Sequence, residues 1–295
     1  MTDGDLTGTV VAITGASSGI GASAARALAE RGATVLPVGR SPERTRRVAT
    51  AIGAEPLIAD FARLTEVRQL AKVLARHRID VLVNNAGAVV PTRQVTGDGH
   101  ELTFQANHLA PFLLTNLLLP TLREAATRRP VRIVTTASLG HRFGRVRLED
   151  LEREHRRYGN GWLAYCDTKL MNILFTRELA RRTAGTGITA VSFNPDPGTE
   201  KTGTGDPTGF ATETLLGRLL SRTPLHRIWL TGDDGAKPLV RLATAPEVAD
   251  FTGSYFDGPR PDKGVSPRAF DADLADRLWQ LSTELLGEHL TPITR

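Results

Sequence analysis

The stretch from Thr9 to Arg31 most constrains what this chain can become. A short apolar, β-branched run over Thr9 to Thr14 ends in Gly15-Ala16-Ser17-Ser18-Gly19-Ile20-Gly21, and an alanine-rich, helix-forming stretch follows to Arg31. The pattern predicts a strand, a glycine turn and a helix. Glycines there let the backbone approach a pyrophosphate, which the helix N-terminus stabilises with free N–H groups and the positive end of its dipole. A glycine-rich turn alone is a modest signal. Between a strand and a helix it favours dinucleotide binding over a plain tight turn.

The alternation continues. A second strand, Thr34 to Val38, ends at Gly39-Arg40-Ser41, where an NAD-specific site places an acid for the ribose hydroxyls. Arg40 stands there instead. With Ser41 and Arg44 it could pair with a 2′-phosphate, so the expected cofactor is NADP(H); the alternative is a solvated strand-end charge. Pro37 forfeits a ladder hydrogen bond, which predicts a local irregularity. A helix over Pro42 to Ile52 leads to a strand at Glu55 to Ala59 and then to Asp60-Phe61. That aspartate could bond an adenine amino group or cap the turn. Leu64 to Arg76 reads as an amphipathic helix and Asp80 to Val83 as the next strand, closing on Asn84-Asn85-Ala86-Gly87.

Further along, Leu163 to Met171 sets Tyr165 and Lys169 four residues apart, on one face of a predicted helix. A cation one turn from a phenol favours the phenolate and would lower the tyrosine pKa from about 10 toward neutrality. Taken alone, the spacing also suits a surface ridge with a partly buried ring. Lysine is scarce, at positions 72, 169, 201, 237 and 263, so Lys169 stands out against an arginine-rich background. A strand over Val131 to Ala137 delivers Ser138, whose hydroxyl could bond a substrate carbonyl oxygen or cap a turn.

Thr14-Gly15-x-x-x-Gly19-x-Gly21, Asn84-Asn85-Ala86-Gly87, Ser138 and Tyr165-x-x-x-Lys169 stand in the order found in the short-chain dehydrogenase/reductase family, which the chain resembles. Asn107 to Leu114 and Leu174 to Arg182 sharpen the resemblance to the branch of retinol dehydrogenases, WW-domain oxidoreductases and protochlorophyllide reductases. It extends over almost the whole chain, as far as Arg277-Leu278-Trp279. The resemblance implies that Asn107, Ser138, Tyr165 and Lys169 are catalytic, Asn107 holding a water that passes protons to the lysine. It adds Gly15, Ser17, Ser18, Gly19, Ile20, Gly21, Asn85, Ala86 and Gly87 as dinucleotide contacts. Pro197, Gly198, Thr199 and Thr202 match the family's Pro-Gly-x-x-x-Thr, which holds the nicotinamide carboxamide and phosphate. The second proline and Glu200-Lys201 depart from the apolar residues usual there.

The expected fold is therefore α/β: one Rossmann-type, doubly wound parallel sheet of about seven strands over residues 1–295, with helices on both faces. A long helix is expected over Thr103 to Arg123. The segment 139–162, charged from Arg142 to Arg157, reads as a partly helical flap beside the substrate mouth, or as a structural hairpin. Residues 199–232, leucine-rich in their second half, read as a substrate lid. A homodimer or homotetramer contact, or a membrane-surface helix, would use the same residues.

Composition narrows the function. The net charge of +5 comes from dispersed basic residues that alternate with acids, as in Glu149 to Arg157, a pattern that marks a solvated helical face and no nucleic-acid partner. Seven histidines without ligand spacing and one cysteine, Cys166, predict no metal and no internal disulfide; the thiol reads as buried and inert. No run is long and apolar enough to span a bilayer, and Met1 to Gly8 is too polar for a leader, so the expected location is cytoplasmic. These readings converge on NADP(H)-dependent hydride transfer to or from a bulky apolar carbonyl or alcohol. The alternatives are non-redox chemistry on the same fold (dehydration, epimerisation, cyclisation) or a non-catalytic NADP(H)-binding partner.

Overall fold

The structure, a computed structural model, describes residues 4–195 and 232–292. Strands β1 (Val10–Thr14), β2 (Thr34–Gly39), β3 (Leu57–Ile58), β4 (Val81–Asn84), β5 (Val131–Thr136), β6 (Ile188–Phe193), β7 (Tyr255–Asp257) and β8 (Arg260–Pro261) form one sheet in the order β3-β2-β1-β4-β5-β6-β7-β8. The first seven run parallel, and β8 turns back antiparallel against β7. The sheet thus has one strand more than expected, and the addition, Arg260–Pro261, lies in the Pro/Gly-rich stretch Pro259 to Pro267, whose composition predicts a loop. Pro261 lacks a ladder N–H, which a sheet tolerates at its edge.

Helices α1 (Gly19–Ala29), α2 (Pro42–Ala51) and α7 (Gly232–Thr244) contribute to the core on one face of the sheet. Helices α3 (Leu64–Leu74), α5 (Ala110–Ala126), α6 (Trp162–Arg182) and α8 (Ala272–Leu286) build the core on the other. Strands covered on both faces need runs of apolar residues, and Val11, Ala12 and Ile13 are all buried. Between β2 and β4 the order of strands reverses about β1, which opens a crevice at the carboxyl ends of the strands.

Pro37 disturbs nothing. The Thr34 N–H donates to Thr9 and the Val38 carbonyl accepts from Ala16, so even-numbered residues of β2 face β1. Pro37, one out of phase, turns its ring nitrogen to the β3 side, where pairing starts only at Val38.

The expected long helix is interrupted. Leu102–Phe104 forms a short α4, residues Gln105–Leu109 form a π-helical turn, and α5 follows from Ala110. Pro111 is the physical reason. It has no N–H for the Asn107 carbonyl, and its ring crowds that oxygen, so the turn widens.

His108 projects from this turn toward α8. Its ring stacks on Phe104 and lies near Phe112 and Phe175, and Nε2 meets the Ser282 hydroxyl at 2.9 Å. Burial pulls its pKa down to about 3. Between about pH 6.5 and pH 3 the unfolded chain binds this proton and the folded chain does not, so stability falls as the pH falls through that window. The loss is on the order of 5 kcal/mol when complete. Urea unfolding of the wild type is therefore expected to lose stability more steeply between pH 6.5 and 4 than that of His108→Asn, and equal slopes for the two proteins would refute this.

Helix α8 lies over α6. Trp279 stacks on Phe175 with ring centroids 5.8 Å apart, and its ring meets the edge of Phe112 at 4.8 Å. Asp276 pairs with both Arg181 and Arg182.

Candidate active site

Helix α6 carries Tyr165 and Lys169 on successive turns and is buried along most of its length. Gly161 starts it from the left-handed region at φ +80°, and a side chain there would collide with the Val90 carbonyl. Ser138 follows β5 and caps the 3₁₀ turn Leu139–Phe143 by accepting from the Gly140 N–H. It also bonds Tyr165, so the capping role and the phenol contact coexist. Lys169 Nζ donates to the Thr136 carbonyl at 2.9 Å and lies 5.3 Å from the Tyr165 ring centroid.

The tyrosine pKa moves opposite to the sequence expectation. Burial pushes it up to about 12, with the Ser138 bond opposing, while burial pulls Lys169 down to about 8. Both groups are out of water, so burial outweighs the Ser138 bond on the phenol and alone sets the shift of the ammonium.

The loop after β4 brings the dinucleotide crevice to this pair. A Cβ on Gly87 would lie 3.3 Å from Asn107 Oδ1 and 3.5 Å from Lys169 Nζ. Asn107 is fully engaged: Oδ1 accepts from the Ala88 N–H, and Nδ2 donates to the Ala88 carbonyl and to Thr168 Oγ1. Asn85 donates to the Thr14 carbonyl and accepts from Thr136 Oγ1, so its side chain ties β1 to β5. Thr14 Oγ1 accepts from the N–H groups of Asn85 and Ala86.

The glycine turn fits a pyrophosphate. Gly15 sits at φ +69°, where a Cβ would lie 2.9 Å from Ala86 Cα. Ser18, the residue preceding α1, makes no side-chain cap, and the first turn carries no acid, which suits an anion at the helix N-terminus. Gly39 packs on Ser17, so the end of β2 abuts the turn and brings Arg40 beside it. Arg40 is exposed and makes no ion pair among the described residues. Ser41 caps α2 by accepting from the Arg44 N–H. Asp60 accepts from the Ala62 N–H, the turn-capping alternative, and the Phe61 ring is buried in the core. Pro197, Gly198, Thr199, Thr202 and the segment read as a lid up to residue 231 lie outside the described residues.

The segment 139–162 forms two 3₁₀ turns and no hairpin; its charged run is exposed at Glu149, Glu154 and Arg157 but turns Asp150 and Arg153 inward. Arg153 is buried at φ +49° and donates to Asp167 Oδ2 at 2.8 Å; Arg156 lies 3.2 Å from the same oxygen, and the Arg145 N–H donates to Oδ1. Arg153 and Arg156 close on Asp150 and on Asp167 of α6 because the chain turns at Arg153 instead of coiling. Cys166 is buried as expected, with its thiol pushed up to about 12 by burial and by Asp167.

His141 escapes a sequence reading because it stands apart from any motif. Its Nδ1 must donate to the Ser138 carbonyl at 2.6 Å, and its Nε2 accepts from the Ser266 N–H at 3.1 Å. The neutral ring thus ties Ser138 to the loop after β8, and burial lowers its pKa.

The family model for short chain dehydrogenases matches residues 9–149. Human retinol dehydrogenase 13 is 39% identical over 295 residues, spanning 96% of this chain and 86% of that protein. A protein of Streptomyces sp. (strain C5) with the provisional name daunorubicin C-13 ketoreductase DnrU is 38% identical, spanning 97% and 95%. Among solved structures, an uncharacterised Mycobacterium paratuberculosis protein superposes with a TM-score of 0.74 at 34% identity, covering 99% of this chain and 97% of its own. A Burkholderia cenocepacia short chain dehydrogenase in complex with NADP gives 0.62 at 27% identity, covering 86% and 98%.

Proposed function

This chain belongs to the short-chain dehydrogenase family, in its retinol dehydrogenase branch, and on that premise we propose that it is an NADPH-dependent reductase of bulky apolar ketones or aldehydes. The observation that carries the reading is the juxtaposition of Ser138, Tyr165 and Lys169 with the Gly87 end of the dinucleotide crevice. When bound, the cofactor supplies the hydride. Ser138 Oγ and the Tyr165 hydroxyl hold the substrate oxygen, and Tyr165 hands it a proton. Burial keeps the phenol protonated, the form that can hand a proton to a developing alkoxide. Lys169 returns that proton and bonds the ribose. Asn107 has its amide committed to Ala88 and Thr168, so its part in the relay falls to its main-chain carbonyl.

The turn Gly15 to Gly21 would hold the pyrophosphate, with the N–H groups of α1 and the Ser17 and Ser18 hydroxyls as donors. Asn85, Ala86 and Gly87 would line the crevice behind the nicotinamide ribose, and Pro197, Gly198, Thr199 and Thr202, outside the described residues, would hold the nicotinamide. For the 2′-phosphate, Arg40 is the group free to pair, with Ser41 beside it, and this supports NADP(H) over NAD(H). Arg40→Ala is expected to weaken NADPH about tenfold or more and NADH less than twofold in fluorescence titrations; an equal effect on both would remove the phosphate role.

The names of the relatives offer two substrate shapes, a retinoid and the C-13 ketone of daunorubicin. NADPH oxidation at fixed pH against aliphatic, aromatic and polycyclic carbonyls tests the reading. Turnover of none of them, in either direction, would overturn it.

A further inference from the structure

Trp162 opens helix α6 one turn before Tyr165, and its indole stacks on the phenol ring with centroids 5.8 Å apart and planes 29° from parallel. Tyr165 is 9% exposed, whereas Trp162 is 48% exposed. A tryptophan left half in water beside a buried reacting group is unusual, because the indole is the side chain that gains most from being covered. Nothing in the core requires it there: neither core cluster includes it, and the Tyr165 phenol is its one ring partner among the described residues. Gly161, the residue before it, lies against an apolar loop. A Cβ on Gly161 would approach the Val89 side chain at 3.1 Å, and Val89 and Val90 are half-buried at the end of the loop that begins with Asn84 to Gly87. On the other side of Tyr165, Gly140 keeps the ring edge free of side chain, since a Cβ there would lie 3.5 Å from Cε1 and from Ser138 Oγ.

We propose that Trp162 is a specificity-determining residue: its indole is the platform on which a flat, conjugated ring system lies while the attached carbonyl reaches Ser138 and Tyr165. This deepens the reductase reading and rests on it. A planar substrate covers the exposed indole face in the offset-stacked arrangement that aromatic rings favour, in line with the Tyr165 ring. A saturated skeleton of equal size matches the apolar area without the stacking. The substrate class is therefore an aryl or polycyclic aromatic ketone, in preference to a flexible aliphatic one.

The test uses 2-acetylnaphthalene and 2-acetyldecalin, which share one carbon skeleton, with the full-length protein saturated with NADP⁺ so that binding is measured without turnover. The wild type is expected to bind the naphthyl ketone more tightly than the decalyl ketone, and Trp162→Leu to shrink that preference about tenfold. Trp162→Phe, which keeps an aromatic face, should retain most of it and checks that the helix start still folds. A wild type without the preference, or a preference equal in the wild type and Trp162→Leu, overturns the inference. Tight binding of 2-acetylnaphthalene without its reduction by NADPH would instead leave Trp162 its role and remove the reductase reading.

Discussion

Tyr165→Phe is expected to lower kcat for NADPH-dependent ketone reduction by about three orders of magnitude, with the Kd for NADPH within about threefold of the wild type. One hydroxyl is lost, and with it both the proton donor and one of the two groups that hold the substrate oxygen. Positioned acid catalysis contributes roughly 10²–10⁴, or about 3–5 kcal/mol of barrier. The ring itself stays, so its packing against Trp162 and Gly140 is retained. Steady-state kinetics with a parallel fluorescence titration of NADPH reads both quantities, and undiminished kcat would remove Tyr165 from the chemistry.

The second large effect is on stability. Asp167→Ala is expected to destabilise the protein by about 3–5 kcal/mol in urea unfolding, because it leaves the buried Arg153 guanidinium without its carboxylate. It also frees the Arg145 N–H and one partner of Arg156, so the segment from Arg145 to Arg156 comes away from the helix that carries Tyr165. Asp167→Asn should lose less, since an amide oxygen can still accept from one arginine. A loss below 1 kcal/mol for the alanine variant would mean that the network is solvated and holds nothing.

These two sites differ in how visible they are in the sequence. The Tyr165 and Lys169 spacing, the glycine turn and Asn84 to Gly87 are local patterns, each fixed by the geometry of one turn or one helix face, and so they could be read directly. Parallel strands under crossover helices follow from the same short-range periodicities. The Asp167 network is not local in this sense. Arg153 and Arg156 lie 14 and 11 residues before it, and they meet it only because the backbone takes a left-handed turn at Arg153 that no residue type announces. Charge alternation from Glu149 to Arg157 accordingly reads as a wet helical face. The direction of the Tyr165 pKa was out of reach for another reason: spacing reveals the attracting cation, but the larger opposing effect is burial, which belongs to the packed fold. His141 lies three residues after Ser138, and what gives it a role is a contact with Ser266 from the far end of the chain.

The edges of the sheet carry a last consequence. Both outermost strands, Leu57–Ile58 and Arg260–Pro261, are two residues long, and the second ends on a residue that can donate nothing to a neighbour. A strand that short presents hardly any ladder for another chain to extend. The fold therefore ends its own β-structure on both sides. Parallel sheets are slow to form and expose their edges while they do, so two blunt ends limit what a neighbouring copy could extend by strand addition.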